Sequence, residues 1–312
     1  MKVQILQMLE GAKKAEGLTV IIDVFRAFSL ECYLVAQGAE EVFPIGTLEE
    51  AFALKAEDPE NRVLFGERGG ARVEGCEYGN SPSQAAGVDF TGKTILHTTS
   101  AGTQGIVNAT GASEILTGAL VNARAIADYI LAQDPEIVSL VAMGNAGLSP
   151  NKEDTLCAEY IRSLLLDEDF DMESRLASLR TDGGQHFFNP DTQEIYPQPD
   201  FFLATRVDCF PFVLKVEKED GRFVTHPLRR FIHLPHSIYS KDEYGRILAE
   251  IRFPEEEKGL YNIERTYVCE SLFSVNLAEE LVDEALLQIR KQGGRVKADC
   301  PFAKQYLEKK RK

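Results

Sequence analysis

Residues 18–27 have the sequence LTVIIDVFRA, an apolar run that ends in an acid and a base. The run up to Ile22 predicts a buried strand that ends at Asp23, and residues 28–37 predict a helix that closes at Gly38. Strand and helix alternate in this way along the first half of the chain. The alternation predicts an α/β fold whose largely parallel sheet lies between two layers of helices, an α/β/α arrangement.

The remaining elements of this first half follow the same pattern. The predicted strands are 41–45, 63–65, 94–97, 114–116, 137–143 and, after a long loop over 181–200, also 201–205; the predicted helices are 47–56, 103–110, 122–132 and 153–166. In parallel sheets, ligands bind beyond the carboxyl ends of the strands. Polar residues that directly follow strands are therefore expected to meet, namely Asp23, Glu67, Thr98 and Asn145.

The pattern changes after residue 215. Residues 215–222 predict a linker or a hairpin turn, and the alternating runs 247–253 and 261–268 predict antiparallel strands. An apolar stripe over 276–292 predicts a helix. We therefore predict two domains, 1–215 and 216–312, of which the second is a smaller α+β domain.

The composition limits the functions that the chain can have. Its 312 residues carry a formal net charge of -15, which argues against nonspecific binding to nucleic acid or to anionic membranes. An anionic substrate must then be held by a local cluster of arginine, lysine or metal. Six cysteines without a CxxC pair, and the lack of a signal peptide or a bilayer-spanning apolar run, predict a cytoplasmic protein.

Two acid–base pairs follow predicted strands. Asp23 can bind Mg²⁺ or accept a proton, and Arg26 can hold a phosphate oxygen; the alternative is a local ion pair that caps the next helix. Glu67 and Arg68 repeat this pairing between glycines that allow close approach of a ligand. A surface loop is the alternative for this second pair and for the amide and hydroxyl of the Asn80–Ser81 segment that follows it.

Two helix starts add further candidates. Residues 98–103 (TTSAGT) offer hydroxyl and amide groups that could cradle a phosphate, although the lysine of a Walker A motif is missing. Glu153 and Asp154 open the helix 153–166 and could be further Mg²⁺ ligands. For residues 98–103 the alternative is a capped helix start. For Glu153 and Asp154 the alternative is that acids favour a helix N-terminus in any case.

The histidines and cysteines do not form a catalytic pattern. His97 is expected to be a strand residue near the site, and His226, His233 and His236 lack a metal-ligand pattern. Cys157 is expected to be a small buried residue. Direct attack by a metal-activated water therefore fits a phosphatase better than a covalent intermediate.

Five motifs in order resemble the 2-phosphosulfolactate phosphatase family over about residues 1–215. They are DVFRA at 23–27, GERGG at 66–70 with GNSP at 79–82, TTSAGT at 98–103, NA at 122–123 and EDTLCA at 153–158. The resemblance implies a Mg²⁺-dependent phosphatase that acts on 2-phospho-3-sulfolactate in coenzyme M synthesis. Two places depart from the family's usual pattern, Phe28-Ser29 and Ser100-Ala101, and they bear on the choice of substrate.

The tail resembles a small GNAT-type N-acetyltransferase domain. The resemblance rests on IERTYV at 263–268, the helix 276–292 and ADCPFA at 298–303. Such domains hold the pyrophosphate of acetyl-CoA in a loop with an arginine or glutamine and glycines. Residues 271–278 (SLFSVNLA) stand at that place without the arginine or the glycines, which predicts an inactive domain.

The leading hypothesis is a Mg²⁺-dependent phosphatase for a small anionic phosphomonoester. Its alternatives are an acetyl-CoA-dependent acyltransferase carried by the tail and a non-catalytic sensor of a phosphorylated metabolite. The oligomeric state is left open, a homo-oligomer being one alternative. The predicted site comprises catalytic Asp23, Glu67 and Arg68; substrate-binding Arg26, Asn80, Ser81, Thr98, Thr99, Gly102 and Thr103; and metal-binding Asp23, Glu67, Glu153 and Asp154.

Overall fold

The strands of the first half assemble as the alternation predicts, and the chain folds into two units. The computed structural model describes residues 1–229, 231–241, 246–269 and 277–310. The larger unit comprises Met1–Val35 and Ala39–Arg229, and the smaller comprises Ala36–Gly38 and Arg230–Lys312. The division thus falls near residue 230, whereas the sequence predicts it at 215.

The larger unit contains ten strands and nine α-helices in its described residues, with short 3₁₀ turns at Leu120–Asn122, Gln185–Phe188 and Pro190–Thr192. In chain order the elements are β1 (Lys2–Gln7), α1 (Met8–Ala12), β2 (Gly17–Ile22), α2 (Ala27–Ala36), β3 (Glu41–Pro44), α3 (Leu48–Glu57), β4 (Arg62–Arg68), β5 (Ala71–Arg72), α4 (Pro82–Ala85), β6 (Thr94–Thr98), α5 (Gly102–Asn108), β7 (Ala112–Gly118), α6 (Ala123–Gln133), β8 (Ile137–Ala142), α7 (Lys152–Leu166), α8 (Met172–Leu179), α9 (Gln198–Ala204), β9 (Phe212–Glu219) and β10 (Arg222–Arg229).

One sheet holds all ten strands in the order β1-β8-β2-β7-β9-β10-β3-β6-β4-β5. The block β1-β8-β2-β7 is parallel throughout, and so is the block β3-β6-β4. The hairpin β9–β10 lies between the blocks and pairs antiparallel with β7 on one side and β3 on the other. Three successive antiparallel pairings therefore make the two blocks run in opposite directions.

The position of this hairpin explains the domain boundary. Residues 215–222, predicted as a linker or turn, belong to β9, its turn and the start of β10. Since these strands complete the large sheet, the larger unit extends to residue 229. The hairpin turn, one of the two alternatives predicted for 215–222, is confirmed. The strand predicted at 201–205 is wrong: these residues fall in and just after the helix α9, where Pro199 occupies the first turn, a position that suits proline.

Helices cover both faces of the first parallel block. Ile21 of β2 lies against Gly105 of α5, where an added Cβ would come within 2.6 Å of the Ile21 side chain. On the other face, Val20 and Ile22 belong to the buried cluster that includes Ile126 of α6. The strand β2 is buried on both faces, which confirms the predicted α/β/α layers.

The smaller unit is mixed α+β. Its elements are β11 (Ile232–Leu234), β12 (Ser237–Lys241), β13 (Ile247–Arg252), β14 (Glu255–Glu257), β15 (Leu260–Ile263), β16 (Arg265–Val268), α10 (Leu277–Lys291), β17 (Arg295–Ala298) and α11 (Pro301–Lys310). The strands β11-β12-β13-β16 form an antiparallel sheet, and β14-β15-β17 form a second sheet. The predicted apolar stripe of α10 is buried. No helix within the described residues has the length and apolar character needed to cross a bilayer.

Candidate active site

A cleft of about 390 Å³ in the larger unit brings residues from both blocks of the sheet together. Asp23 and Arg26 follow β2, Glu67 belongs to the end of β4, and Glu153 lies in the first turn of α7. The ends of β2 and β4 thus meet at one cleft although their blocks run in opposite directions.

Asp23 is buried in the cleft wall with only 8% of its surface exposed. Its backbone N–H donates to the carbonyl oxygen of Gly118 at 3.1 Å, which continues the β2–β7 ladder by one residue. Burial raises the pKa of the Asp23 carboxyl, and the negative charges of Asp154 and Glu67 raise it further. The negative charge of an ionised Asp23 is not balanced by its surroundings, and a bound cation could balance it.

Glu67 ties the two glycine-containing loops together. Its Oε2 accepts a hydrogen bond from the N–H of Gly70 at 2.7 Å, and its Oε1 accepts one from the N–H of Ser100 at 2.6 Å. Gly70 has a φ of +86° and lies against the Tyr196 ring, so a side chain there would be strained and would collide with that ring. The carboxylate of Glu67 is therefore held in one position at the edge of the cleft.

Glu153 and Asp154 are neighbours on α7 with different surroundings. Glu153 lines the cleft, and its buried Oε2 has no hydrogen-bond partner among the described residues. Burial, with a contribution from Asp154, raises the pKa of Glu153 to about 8. An orphaned acceptor of this kind fits a metal ligand, because magnesium coordination would satisfy it.

Asp154 lies behind the cleft and holds its backbone in place. Its Oδ1 accepts from the N–H of Val24 at 2.7 Å, and its Oδ2 accepts from the N–H of Gly144 and from the Asn151 amide, both at 2.9 Å. Burial raises the pKa of Asp154, although these hydrogen bonds act in the opposite direction. Asp154 does not line the cleft, unlike Glu67, whose oxygens also accept hydrogen bonds. The geometry therefore supports a structural role for Asp154 and gives no support to the predicted metal ligand.

Arg26 is a buried anchor in the cleft wall. Its guanidinium donates to the carbonyl oxygens of Ile195 and Gly70, each at 2.7 Å, and lies 3.5 Å from the Asp200 carboxylate. It also stacks over the ring of Tyr196, 4.9 Å from the ring centroid. These contacts orient the guanidinium and fasten the segment 195–200 to the site.

Other predicted site residues support the cleft from outside it. The Arg68 guanidinium donates to the carbonyl oxygen of Glu67 at 2.6 Å and to the Thr98 hydroxyl at 3.0 Å. The Ser81 hydroxyl donates to Asp200 at 3.0 Å and caps α4. Asn80, in contrast, lines the cleft. Ser81, Arg68 and Thr98 therefore position neighbouring backbone in this structure.

The loop of residues 98–103 is closed by hydrogen bonds between its own residues. The Thr99 hydroxyl accepts from the N–H of Thr103 at 3.2 Å, and the Thr103 hydroxyl donates to the carbonyl oxygen of Thr99 at 3.1 Å. Gly102 packs beside Asp23, where an added Cβ would lie 3.2 Å from Asp23 Oδ2. From this loop, Ser100 and Ala101 face the cleft. The loop therefore resembles the capped helix start that the sequence left as an alternative.

Three side chains at or beside the cleft come from a segment in which the sequence indicated only a long loop. His186 and Tyr196 line the cleft, and burial together with the charge of Arg26 lowers the pKa of His186. The Tyr196 hydroxyl donates to the carbonyl oxygen of Gly69 at 3.1 Å. Asp200 is fully buried and accepts from Ser81 and from the N–H of Ser83. The glycine and proline content of 181–200 marked a loop without indicating where it lies.

The comparisons with known proteins agree with this architecture. Residues 4–182 match the family model described as 2-phosphosulpholactate phosphatase. The chain belongs to this family. The match covers the segments that contribute Asp23, Glu67 and Glu153 to the cleft, and it ends before α9 and the β9–β10 hairpin. A second model, GCN5-related N-acetyl-transferase, matches residues 238–312 of the smaller unit.

Individual members of the phosphosulpholactate phosphatase family align with the larger unit. A protein from Carboxydothermus hydrogenoformans, named "Probable 2-phosphosulfolactate phosphatase", is 37% identical over 54% of this chain and 69% of its own length. A Bacillus subtilis protein of the same name is 29% identical over 67% of this chain and 90% of its own. A solution structure from Staphylococcus aureus, described as GCN5-like, is 26% identical over 26% of this chain and 79% of that one, with a TM-score of 0.24.

Proposed function

We propose that the chain is a Mg²⁺-dependent phosphatase that hydrolyses a small anionic phosphomonoester, 2-phospho-3-sulfolactate by analogy with the names of its relatives. Action on this compound would place it in coenzyme M synthesis, as the family resemblance implies. The observation that carries the proposal is the convergence of three buried carboxylates, Asp23, Glu67 and Glu153, on one cleft.

The charges of the cleft support a divalent cation. Its described lining holds three carboxylates and one guanidinium, that of Arg26. A phosphate ester with a second acidic group would be repelled by this lining unless cations reversed its sign. The raised pKa of Asp23 and the orphaned Oε2 of Glu153 are two independent signs of the same unmet charge.

The donor set is of the type that magnesium prefers. Mg²⁺ takes oxygen ligands, usually through one or two carboxylates, with substrate oxygens and water completing its shell. Glu41, Glu219 and His226 form the one set of three acidic, histidine or cysteine side chains in the described residues whose ligand atoms lie within 4.8 Å, and that set lies outside the cleft. The oxygens of Asp23, Glu67 and Glu153 do not all lie within that distance of one another. These residues would therefore hold the ion together with oxygens of the substrate and of water. Bound there, Mg²⁺ would neutralise charge on the phosphoryl group and favour attack by water.

The chain's own residues would orient the substrate around this ion. Arg26 is held by two carbonyl oxygens, by the Asp200 carboxylate 3.5 Å away and by the Tyr196 ring, and it supplies the one guanidinium in the described lining of the cleft. Asn80 adds an amide, and the rings of His186 and Tyr196 close one side of the cleft against water. The cleft lining in the described part of the chain contains no cysteine, which favours direct hydrolysis over a thiol intermediate.

Phosphate release is the direct test. The protein incubated with 2-phospho-3-sulfolactate or simpler 2-phospho-acids is expected to release inorganic phosphate with Mg²⁺ present and to stop when the metal is chelated. The Glu67→Gln variant should lose this activity, which would exclude a non-catalytic sensor. No release from any of these esters, with Mg²⁺ supplied, would overturn the proposal.

The metal should stabilise the protein more as the pH rises. The folded-state pKa of Glu153, about 8, lies above its usual 4.5, so the folded protein binds this proton more tightly than the unfolded chain does. Without metal, the contribution of Glu153 to stability is therefore greatest below about pH 4.5 and is lost toward about pH 8. Because Mg²⁺ competes with these protons, the rise in Tm that Mg²⁺ causes should be larger near pH 8.5 than near pH 6. Equal rises at both pH values would contradict the assignment.

The smaller unit provides a second candidate function. Its match to the GCN5-related N-acetyl-transferase model favours an acyltransferase that binds acetyl-CoA. Most of the predicted cofactor loop, residues 271–276 of 271–278, lies outside the described residues. Calorimetry with acetyl-CoA tests this candidate, and no binding at millimolar concentration would remove it.

A further inference from the structure

Three buried polar side chains form a line from the protein core to the cleft. Glu31 belongs to α2, His97 to β6, and Asn80 to the loop before α4. His97 Nδ1 lies 2.8 Å from Glu31 Oε1, and His97 Nε2 lies 3.0 Å from Asn80 Oδ1. Glu31 and His97 are fully buried, while Asn80 lines the cleft with 3% exposed. We call this line the Glu31–His97–Asn80 relay.

The hydrogen bonds of the relay define where its protons lie. An ionised carboxylate oxygen only accepts, so Nδ1 of His97 carries a proton that it donates to Glu31. A fully buried carboxylate such as that of Glu31 calls for a neighbouring positive charge, which a doubly protonated His97 would supply. Nε2 of that imidazolium would then donate to the Oδ1 of Asn80. Pairing of this kind is what a fully buried cation requires.

The imidazolium decides which end of the Asn80 amide is available to the cleft. An amide side chain has an oxygen end and a nitrogen end of nearly the same shape, so packing alone does not choose between them. A doubly protonated His97 has only N–H donors, so the oxygen end of the amide must face it. The Nδ2 of Asn80, which has no hydrogen-bond partner in the described parts of the chain, is left as a donor for the occupant of the cleft.

We propose that Glu31 and His97 are positioning residues that hold the Asn80 amide with its N–H groups available to an anionic oxygen of the phosphorylated substrate. The identity of that ligand rests on the proposed function. The orientation matters because the opposite one would add an oxygen acceptor to a cleft already lined by three carboxylates. A donor to a charged oxygen is worth about 1.5–3 kcal/mol, or roughly 10–100-fold in affinity.

The competing explanation is a structural ion pair that fastens α2 to β6 and has no bearing on the cleft. Glu31→Gln separates the two, because it keeps the shape of the side chain and removes its charge. Without that charge His97 becomes neutral, its Nε2 becomes an acceptor, and the Asn80 amide turns to donate to it. If the pair is only structural, the Glu31→Gln variant should be less stable and otherwise unchanged. If the relay is correct, the variant should also lose the Asn80 donor in the cleft.

The kinetic test is a double-mutant cycle between Glu31→Gln and Asn80→Ala. We expect Glu31→Gln to raise KM for the phospho-acid about 10–100-fold with a smaller effect on kcat, and to add nothing in the Asn80→Ala background. Affinity for inorganic phosphate in the presence of Mg²⁺, measured by calorimetry, should fall in parallel. The control is Thr117→Val, which removes the hydroxyl 3.4 Å from the other oxygen of Glu31 and should leave KM unchanged. Additive losses, or unchanged KM and phosphate affinity in Glu31→Gln, would overturn the proposal.

A spectroscopic test is independent of catalysis. The chain has five histidines, so ¹⁵N-labelling of the rings gives a simple spectrum in which His97 is assigned by its loss in His97→Gln. In the unmodified protein, both ring nitrogens of His97 should show the shifts of protonated nitrogen, and Glu31→Gln should convert one to an unprotonated shift. A neutral His97 ring in the unmodified protein would refute the relay even if phosphatase activity is found. A charged ring in a protein without activity would refute the proposed function and leave the relay standing.

Discussion

Replacing Asp23 with asparagine is expected to lower kcat/KM for phosphate release about 10³-fold and to raise the Tm of the metal-free protein. The loss of activity follows from removing one of three carboxylates proposed to hold Mg²⁺, since metal stabilisation of phosphoryl charge contributes several kcal/mol. The gain in stability follows because the Asp23 carboxylate is buried and repelled by Asp154 and Glu67. Activity and stability should therefore change in opposite directions.

The measurement combines phosphate-release kinetics with thermal unfolding in the presence and absence of Mg²⁺. In the Asp23→Asn variant, the addition of Mg²⁺ should no longer raise the Tm by the amount seen in the unmodified protein. Glu159→Gln is the control, because Glu159 lies on the same helix as Glu153 but forms a surface ion pair with Arg175. An active Asp23→Asn variant, or one less stable than the unmodified protein without metal, would speak against the metal site.

Replacing Asp154 with alanine is expected to destabilise the protein by about 3 kcal/mol, with or without metal. The change removes three hydrogen bonds and leaves the N–H groups of Val24 and Gly144 buried without an acceptor. These two groups belong to the backbone just after β2 and β8, so the cleft should also lose its shape. Chemical unfolding measured by circular dichroism gives the free energy.

A cap on another helix provides the comparison. Asp171 caps α8 at the surface by accepting from the N–H of Ser174 at 3.1 Å, and its replacement by alanine should cost only about 1 kcal/mol. If Asp154→Ala instead raised the Tm of the metal-free protein, as Asp23→Asn should, Asp154 would be a repelled carboxylate of the metal site. That result would restore the role that the sequence predicted for it.

Local sequence patterns were sufficient for the strands and helices that contribute the three cleft carboxylates. The apolar run 18–22 and the helix after it form as predicted, and the fold class is confirmed by the ten-stranded sheet with helices on both faces. Asp23, Glu67 and Glu153 line one cleft because each lies where a strand ends or a helix begins. Such positions can be recognised from hydrophobic periodicity alone.

Long-range pairings could not be recognised in this way. The run FFLAT at 201–205 suits a buried strand as well as a helix, and only its contacts in the fold decide between them. The placement of β9 and β10 between two parallel blocks depends on pairing with β7 and β3, which lie far earlier in the chain. The contribution of His186 and Tyr196 to the cleft depends on Arg26 binding the carbonyl oxygen of Ile195, a contact that no local pattern encodes.

The position of the β9–β10 hairpin also affects how the protein can be made. During synthesis, the strands β1 to β8 of the large sheet all leave the ribosome before residues 212–229 do. The two parallel blocks must wait for these last two strands, and until then β7 and β3 each have an unpaired edge. A fragment that stops at residue 182, where the family match ends, would keep all three cleft carboxylates and still lack the strands that join the two halves of the sheet.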